Sequence, residues 1–165
     1  MDPAFVEAFK FAISNFFSTM LSTEVEIADP SVSSSFESVF DVSGIIGLSG
    51  DVQGSVVVSF PTSTAEAVVT KFAGMPMSQD DDDFTDAIGE VTNMIAGGAK
   101  SNFPDTSVSI SCPSVVVGHG HKVFRRHDLP VIEFACTCDC GAFAVQVTLK
   151  KETAAGSGNP VAQAA

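Results

Sequence analysis

A chain of 165 residues, 45% of them hydrophobic and with a mean hydropathy of +0.30, is sized for one domain around a single core, which argues against bulk disorder. Eight Lys and Arg against 20 Asp and Glu give a net charge of −12 and a pI near 4.3, so neither a nucleic acid nor an anionic membrane is the expected partner. Both of those surfaces are met by clustered cations, and the one basic cluster here is short: Lys122, Arg125 and Arg126.

No apolar run approaches the roughly 20 residues that span a bilayer, and the N-terminus shows no basic segment followed by an apolar one. The expectation is a soluble, cytoplasmic chain. In chain order, Asp2-Pro3 offers an N-cap side chain and then a proline at the first helical position. Phe5, Ala8, Phe9, Ala12, Ile13, Phe16 and Met20 follow at helical spacing, which predicts a first helix with one apolar face. Residues 27–35 read as a Ser- and Pro-containing loop.

Residues 36–48 are rich in Val, Ile and Phe and read as one or two strands, with Gly44 and Gly47 marking a bulge or a close approach of backbones. A hairpin turn is expected over 49–54, then a return strand over 55–60 stopped by Pro61. Ser63 and Glu66 fit a capping box for a second helix, with Ala65, Val68, Val69 and Phe72 as its buried stripe and Gly74 as a left-handed C-cap. The run Asp80-Asp81-Asp82-Asp83 is expected to cap the amides of a third helix and to favour its positive dipole end.

That third helix is predicted over about 82–102, with Phe84, Ile88, Val91 and Ile95 as its buried side. Residues three and four apart share a helix face, so Glu90, Asn93 and Gly97 line up on the opposite side. Taken alone, an acid and an amide at this spacing also describe an ordinary solvated helix face.

Short strands are expected over 107–111 and 114–117, then a loop through Gly118-His119-Gly120-His121 to His127. The clearest hairpin is last. Ile132, Phe134, Cys136 and Cys138 alternate inward on one strand, and Phe143, Val145, Val147 and Leu149 answer them on the next. Residues 1–150 are read as one domain and 151–165 as a flexible tail. The sum is an α+β domain: an antiparallel or mixed sheet of about six strands with three helices on one face.

Cys112, Cys136, Cys138 and Cys140 lack the C-x2-C spacing of zinc sites, so the expected role of the buried ones is as small hydrophobes, with Cys140 in the turn at Asp139-Cys140-Gly141. The histidines cluster only locally, and no metal site of the chain's own is expected.

The segment from the 55–61 strand through Phe72-Ala73-Gly74 and the acidic loop to Asp86-Ala87-Ile88-Gly89-Glu90-Val91-Thr92-Asn93-Met94-Ile95-Ala96-Gly97-Gly98-Ala99-Lys100 resembles the CheX-type chemotaxis phosphatases of the wider CheC/CheX/FliY group. The opening helix and the closing hairpin extend the resemblance over most of residues 1–150. It implies a CheC-like α+β fold, a homodimer, and a phosphorylated CheY-like response regulator whose aspartyl-phosphate is hydrolysed. It further implies that Asn93 orients the attacking water and that Glu90 pairs with a lysine of the regulator. Spacing adds Gly97, one turn beyond Asn93, as a place without a side chain where the regulator's backbone approaches, and Asp86 is expected as a further partner contact. Magnesium is expected on the regulator and no cofactor on this chain.

Members with two active helices repeat the E-x-x-N motif. Here Glu7 is followed by Lys10 and Glu66 by Val69, so one site per chain is expected. The chemistry suits the residues. Phosphoryl transfer asks mostly for positioning and charge stabilisation, and a carboxamide can hold a water without a charge that repels phosphate. The competing readings are a non-catalytic CheC-like module that binds a regulator or a flagellar or signalling component, and, behind both, a metal or redox protein built on the Cys and His residues.

Overall fold

The computed structural model describes residues 2–33, 40–123 and 129–151. Residues 36–39, Arg125, Arg126, His127 and the tail beyond Lys151 lie outside the described residues. The elements in order are α1 (Pro3–Met20), β1 (Val25–Ile27), β2 (Ser31–Ser33), β3 (Val42–Gly50), β4 (Val52–Phe60), α2 (Thr62–Ala73), α3 (Phe84–Ser101), β5 (Val108–Ile110), β6 (Ser114–Val117), β7 (Val131–Cys138) and β8 (Gly141–Lys151).

The described strands form one sheet in the order β1-β7-β8-β4-β3-β5, with β2 also on β7 and β6 also on β3. Every pairing is antiparallel. The α+β class holds, and among the described residues there are three helices and a sheet of eight strands rather than about six. The two added strands lie in or beside what reads as the 27–35 loop: β1 and β2 are three-residue pieces that form the sheet edge beside β7. Backbone pairing makes them strands without any apolar alternation to announce it.

One sheet face carries the core. Val52, Val56, Val58 and Phe60 of β4 lie beside Ile46 and Leu48 of β3 and Phe143, Val145 and Val147 of β8, all buried under the helices. The opposite face mixes apolar Ile45 and buried Val57 with laterally bonded polar groups: Ser55 to Thr148 at 3.0 Å, Ser43 to Ser59 at 3.2 Å, and Gln146 donating to Glu133 at 2.6 Å. Strand alternation sorts the two sets of side chains onto the two faces.

Helix α1 begins as its sequence requires, with the Asp2 carboxylate accepting from the Ala4 amide at 3.0 Å and Pro3 at the first helical position. Its buried stripe differs at the far end. Met20 is 44% exposed, while Phe17 is fully buried and stacks on Phe143 at 4.7 Å, and Leu21 closes the stripe. The capping box expected at Ser63 is absent. Helix α2 starts two residues earlier, with Pro61 at the cap position (φ −55°) and its carbonyl accepting from Ala65 at 2.9 Å. The Glu66 carboxylate instead accepts from the Gln79 amide at 3.0 Å and ties down the following loop. Gly74 ends α2 at φ 71°, a left-handed conformation open to glycine without a Cβ penalty.

The turn expected over 49–54 is tighter than read: only Asp51 stands between β3 and β4, and Ser49 and Gly50 pair with β5.

Candidate functional site on helix α3

Helix α3 is the amphipathic helix the spacing predicts. Phe84, Ile88, Val91, Ile95, Ala96 and Ala99 are buried against the sheet and α1. Its start is not capped as expected. Asp83 makes no side-chain cap bond, and Asp81 turns back to accept from the Ser78 amide at 2.6 Å and its hydroxyl at 3.0 Å, bonds that hold the Asp81 carboxyl below its ordinary range. The acid left in the first turn is Asp86, where the dipole favours it.

The seat of the helix is set by Gly44 on β3. Thr92 is fully buried, its hydroxyl donates to the Ile88 carbonyl at 2.8 Å, and its side chain lies where a Cβ on residue 44 would be. Gly44 therefore marks a close approach, made by a helix side chain and not by a neighbouring backbone. Gly89 plays a similar part on the other flank: a Cβ there would come within 3.2 Å of Pro113, so its absence lets the 113–115 segment press on the helix.

On the outward side, Asp86 and Glu90 are exposed and Asn93 and Gly97 are half-buried. Helical spacing puts these four along one ridge. Among the described residues neither the Glu90 carboxylate nor the Asn93 carboxamide is engaged by a hydrogen bond or ion pair within the chain. A cleft of about 300 Å³ opens beside Glu90, lined by Thr85, Asp86, Gly89, Glu90, Pro113 and Val115. Thr85, Pro113 and Val115 were not singled out by sequence, because β6 meets α3 only in the folded sheet. A methyl at Gly97 would lie 3.8 Å from Ile110, ordinary contact, so nothing within the chain itself forces glycine there.

The histidines serve the loop after β6. His119 Nδ1 lies 2.7 Å from Asp41, a bond that lowers the Asp41 pKa, while His121 bridges the Gly118 carbonyl at 2.8 Å and the Ser43 hydroxyl at 2.9 Å.

Residues 42–137, from β3 through β7 and including all of α3, match the family model described as chemotaxis phosphatase CheX. The chain belongs to this family. It is similar to the CheY-P phosphatase CheX of Thermotoga maritima, at 32% identity over 126 residues that cover 74% of this chain and 81% of that protein. Among solved structures, the chemotaxis protein CheX from Desulfovibrio desulfuricans superposes with a TM-score of 0.81 at 32% identity, covering 88% of this chain and 99% of that one. The CheX of Borrelia burgdorferi, solved as a complex with CheY, BeF3 and Mg2+, shares the fold at a TM-score of 0.74 and 24% identity, over 88% of this chain and 97% of that one. No described helix of this CheX-family chain is long and apolar enough to cross a membrane.

Proposed function

We propose that this chain hydrolyses the aspartyl-phosphate of a CheY-like response regulator, with Glu90 and Asn93 as its working pair. The observation that carries the reading is the placement of that pair: a carboxylate and a carboxamide three residues apart on the solvent side of a helix whose other side is locked into the core, in a chain of the CheX family. A rigid element is the right carrier, since positioning is most of what such a reaction asks of the enzyme.

In this reading Asn93 holds a water in line with the phosphorus. Attack by that water releases the regulator's aspartate and inorganic phosphate. Glu90 pairs with a lysine of the regulator, which keeps a carboxylate from repelling the phosphoryl group. Asp86 and Gly97 extend the contact along the ridge, and the cleft beside Glu90 accepts a side chain of the partner. The magnesium belongs to the regulator, and the chain brings no cofactor to the reaction. The protein works in the cytoplasm as a homodimer with one such site per chain.

The test is to add the purified chain to a phosphorylated CheY-like regulator and time the release of inorganic phosphate. Faster release in proportion to added chain is expected. Binding of the regulator with no change in its phosphate lifetime would make the chain a non-catalytic docking module instead. Sedimentation across a concentration series checks the dimer, and a monomer mass throughout would remove it.

A further inference from the structure

The turn joining β7 to β8 gathers groups that no part of the reaction uses. Cys138 ends β7, and Asp139 and Cys140 form the turn before Gly141. The two thiol sulfurs and a carboxylate oxygen of Asp139 all lie within 4.8 Å of one another. The carboxylate is already oriented. Lys71 of α2 holds Oδ2 at 2.5 Å, and the Thr23 hydroxyl, which accepts from Lys71 at 2.8 Å, shares its own proton between Oδ1 and the Leu21 carbonyl at 3.2 Å each. The Cys140 thiol also points at Oδ1, at 3.5 Å. Three segments far apart in sequence thus hold one carboxylate oxygen toward two sulfurs.

We propose that Cys138, Asp139 and Cys140 bind a thiophilic divalent ion of the Zn2+ class. Thiolate donors select soft or borderline d10 ions, and a mixed set of two sulfurs and one oxygen suits Zn2+, whose tetrahedral shell a water completes. Zinc–sulfur bonds of about 2.3 Å place donors roughly 3.5–4 Å apart, so the present spread closes by small rotations of the two cysteine side chains. Two thiolates, a carboxylate and a divalent ion leave one negative charge, and the Lys71 ammonium stands beside it. Lys71 and Thr23 are the outer partners that a ligating carboxylate needs.

Access is open, since Cys138 and Cys140 are only half-buried and Asp139 is exposed. Cys136, two residues back, is excluded by its burial in the core and remains a hydrophobe. The site is built from the β7–β8 turn, α2 and the residue after α1, so it stands independently of the α3 ridge and of the phosphatase reading.

The experiment uses the full chain, reduced with a phosphine and stripped with a chelator, and titrated with Co2+ as a spectroscopic probe. The expected result is a thiolate-to-cobalt charge-transfer band that saturates at one ion per chain, is displaced by Zn2+, and is accompanied by release of about two protons per ion. Cys138→Ser and Cys140→Ser each abolish the band. Lys71→Met weakens binding by about 10–100-fold, the scale of losing an outer partner, with the band retained. Asn93→Ala leaves the titration unchanged, which separates this site from the reaction.

Three results overturn the proposal: no saturable band in the wild-type chain, a band that survives both serine substitutions together, or an affinity indifferent to Asp139→Ala. The last would mean that the two sulfurs hold the ion without the carboxylate. The wild-type titration alone decides the first point even where a variant fails to fold.

Discussion

Glu90 and Asn93 stand three residues apart on α3, yet they can do different things to a phosphorylated partner. A carboxylate can only accept, and near a phosphoryl group it is tolerated only against a cation; a carboxamide both accepts and donates without charge. Glu90→Gln should therefore weaken engagement of the regulator, raising KM on the order of tenfold as a charge pair becomes a neutral hydrogen bond, with kcat nearly kept. A steady-state comparison checks this, and a loss confined to kcat would assign Glu90 to the chemical step instead. The shared outward face of positions 90 and 93 was legible in the sequence from helical spacing, while the roles proposed for the pair came from the family resemblance and not from spacing. The cleft walls Pro113 and Val115 were not legible, and neither was the meeting of Lys71 with Asp139. Those contacts join residues far apart in the chain, and no local period reports them.

At the scale of elements, the precision of the site depends on how α3 sits on β3. Gly44 is the contact that lets it sit close, with Thr92 filling the space a Cβ would take. Gly44→Ala should lower stability by about 1–3 kcal/mol, the range for forcing extra volume into a packed core, and Thr92→Ala in the same chain should restore part of it. Urea denaturation of the single and double variants measures both, and a neutral Gly44→Ala would show that the helix shifts freely. The long elements were readable because each carries a sustained period: 3.6 in α1 and α3, two in β7 and β8. The strands β1 and β2 were missed because three residues on a sheet edge, paired by backbone to β7, carry no period at all. The side-chain caps expected at Ser63 and from the run Asp80-Asp81-Asp82-Asp83 were misread for a related reason. Ser63 and Glu66 match the capping pattern, but the geometry of Pro61 starts α2 two residues sooner, and Glu66 and Asp81 find better donors in the adjoining loop.

The whole molecule is an acidic chain with no Tyr, so cysteine and lysine dominate its alkaline titration. Burial pushes the Cys136 thiol from 9.0 up to about 12. Between those values the native chain keeps a proton that the unfolded chain has released, so stability falls as pH rises across the window, at up to about 1.4 kcal/mol per pH unit. The Cys140 thiol is also pushed up to about 12, mainly by burial, so Cys136→Val should lessen but not abolish that alkaline slope while leaving stability near neutral pH within about 1.5 kcal/mol; an unchanged pH slope would mean the Cys136 thiol is not what titrates. The fold as a whole exists in this account to hold one ridge of α3 rigid and exposed. The most direct measurement of that claim is single-turnover dephosphorylation of a saturating complex between this chain and a phosphorylated CheY-like regulator, wild type against Asn93→Ala. The expected rate in the variant is lower by on the order of 10²–10³, the scale of losing one positioned polar group at a reacting centre, with the regulator still bound. An Asn93→Ala chain that binds and dephosphorylates as fast as the wild type would contradict it.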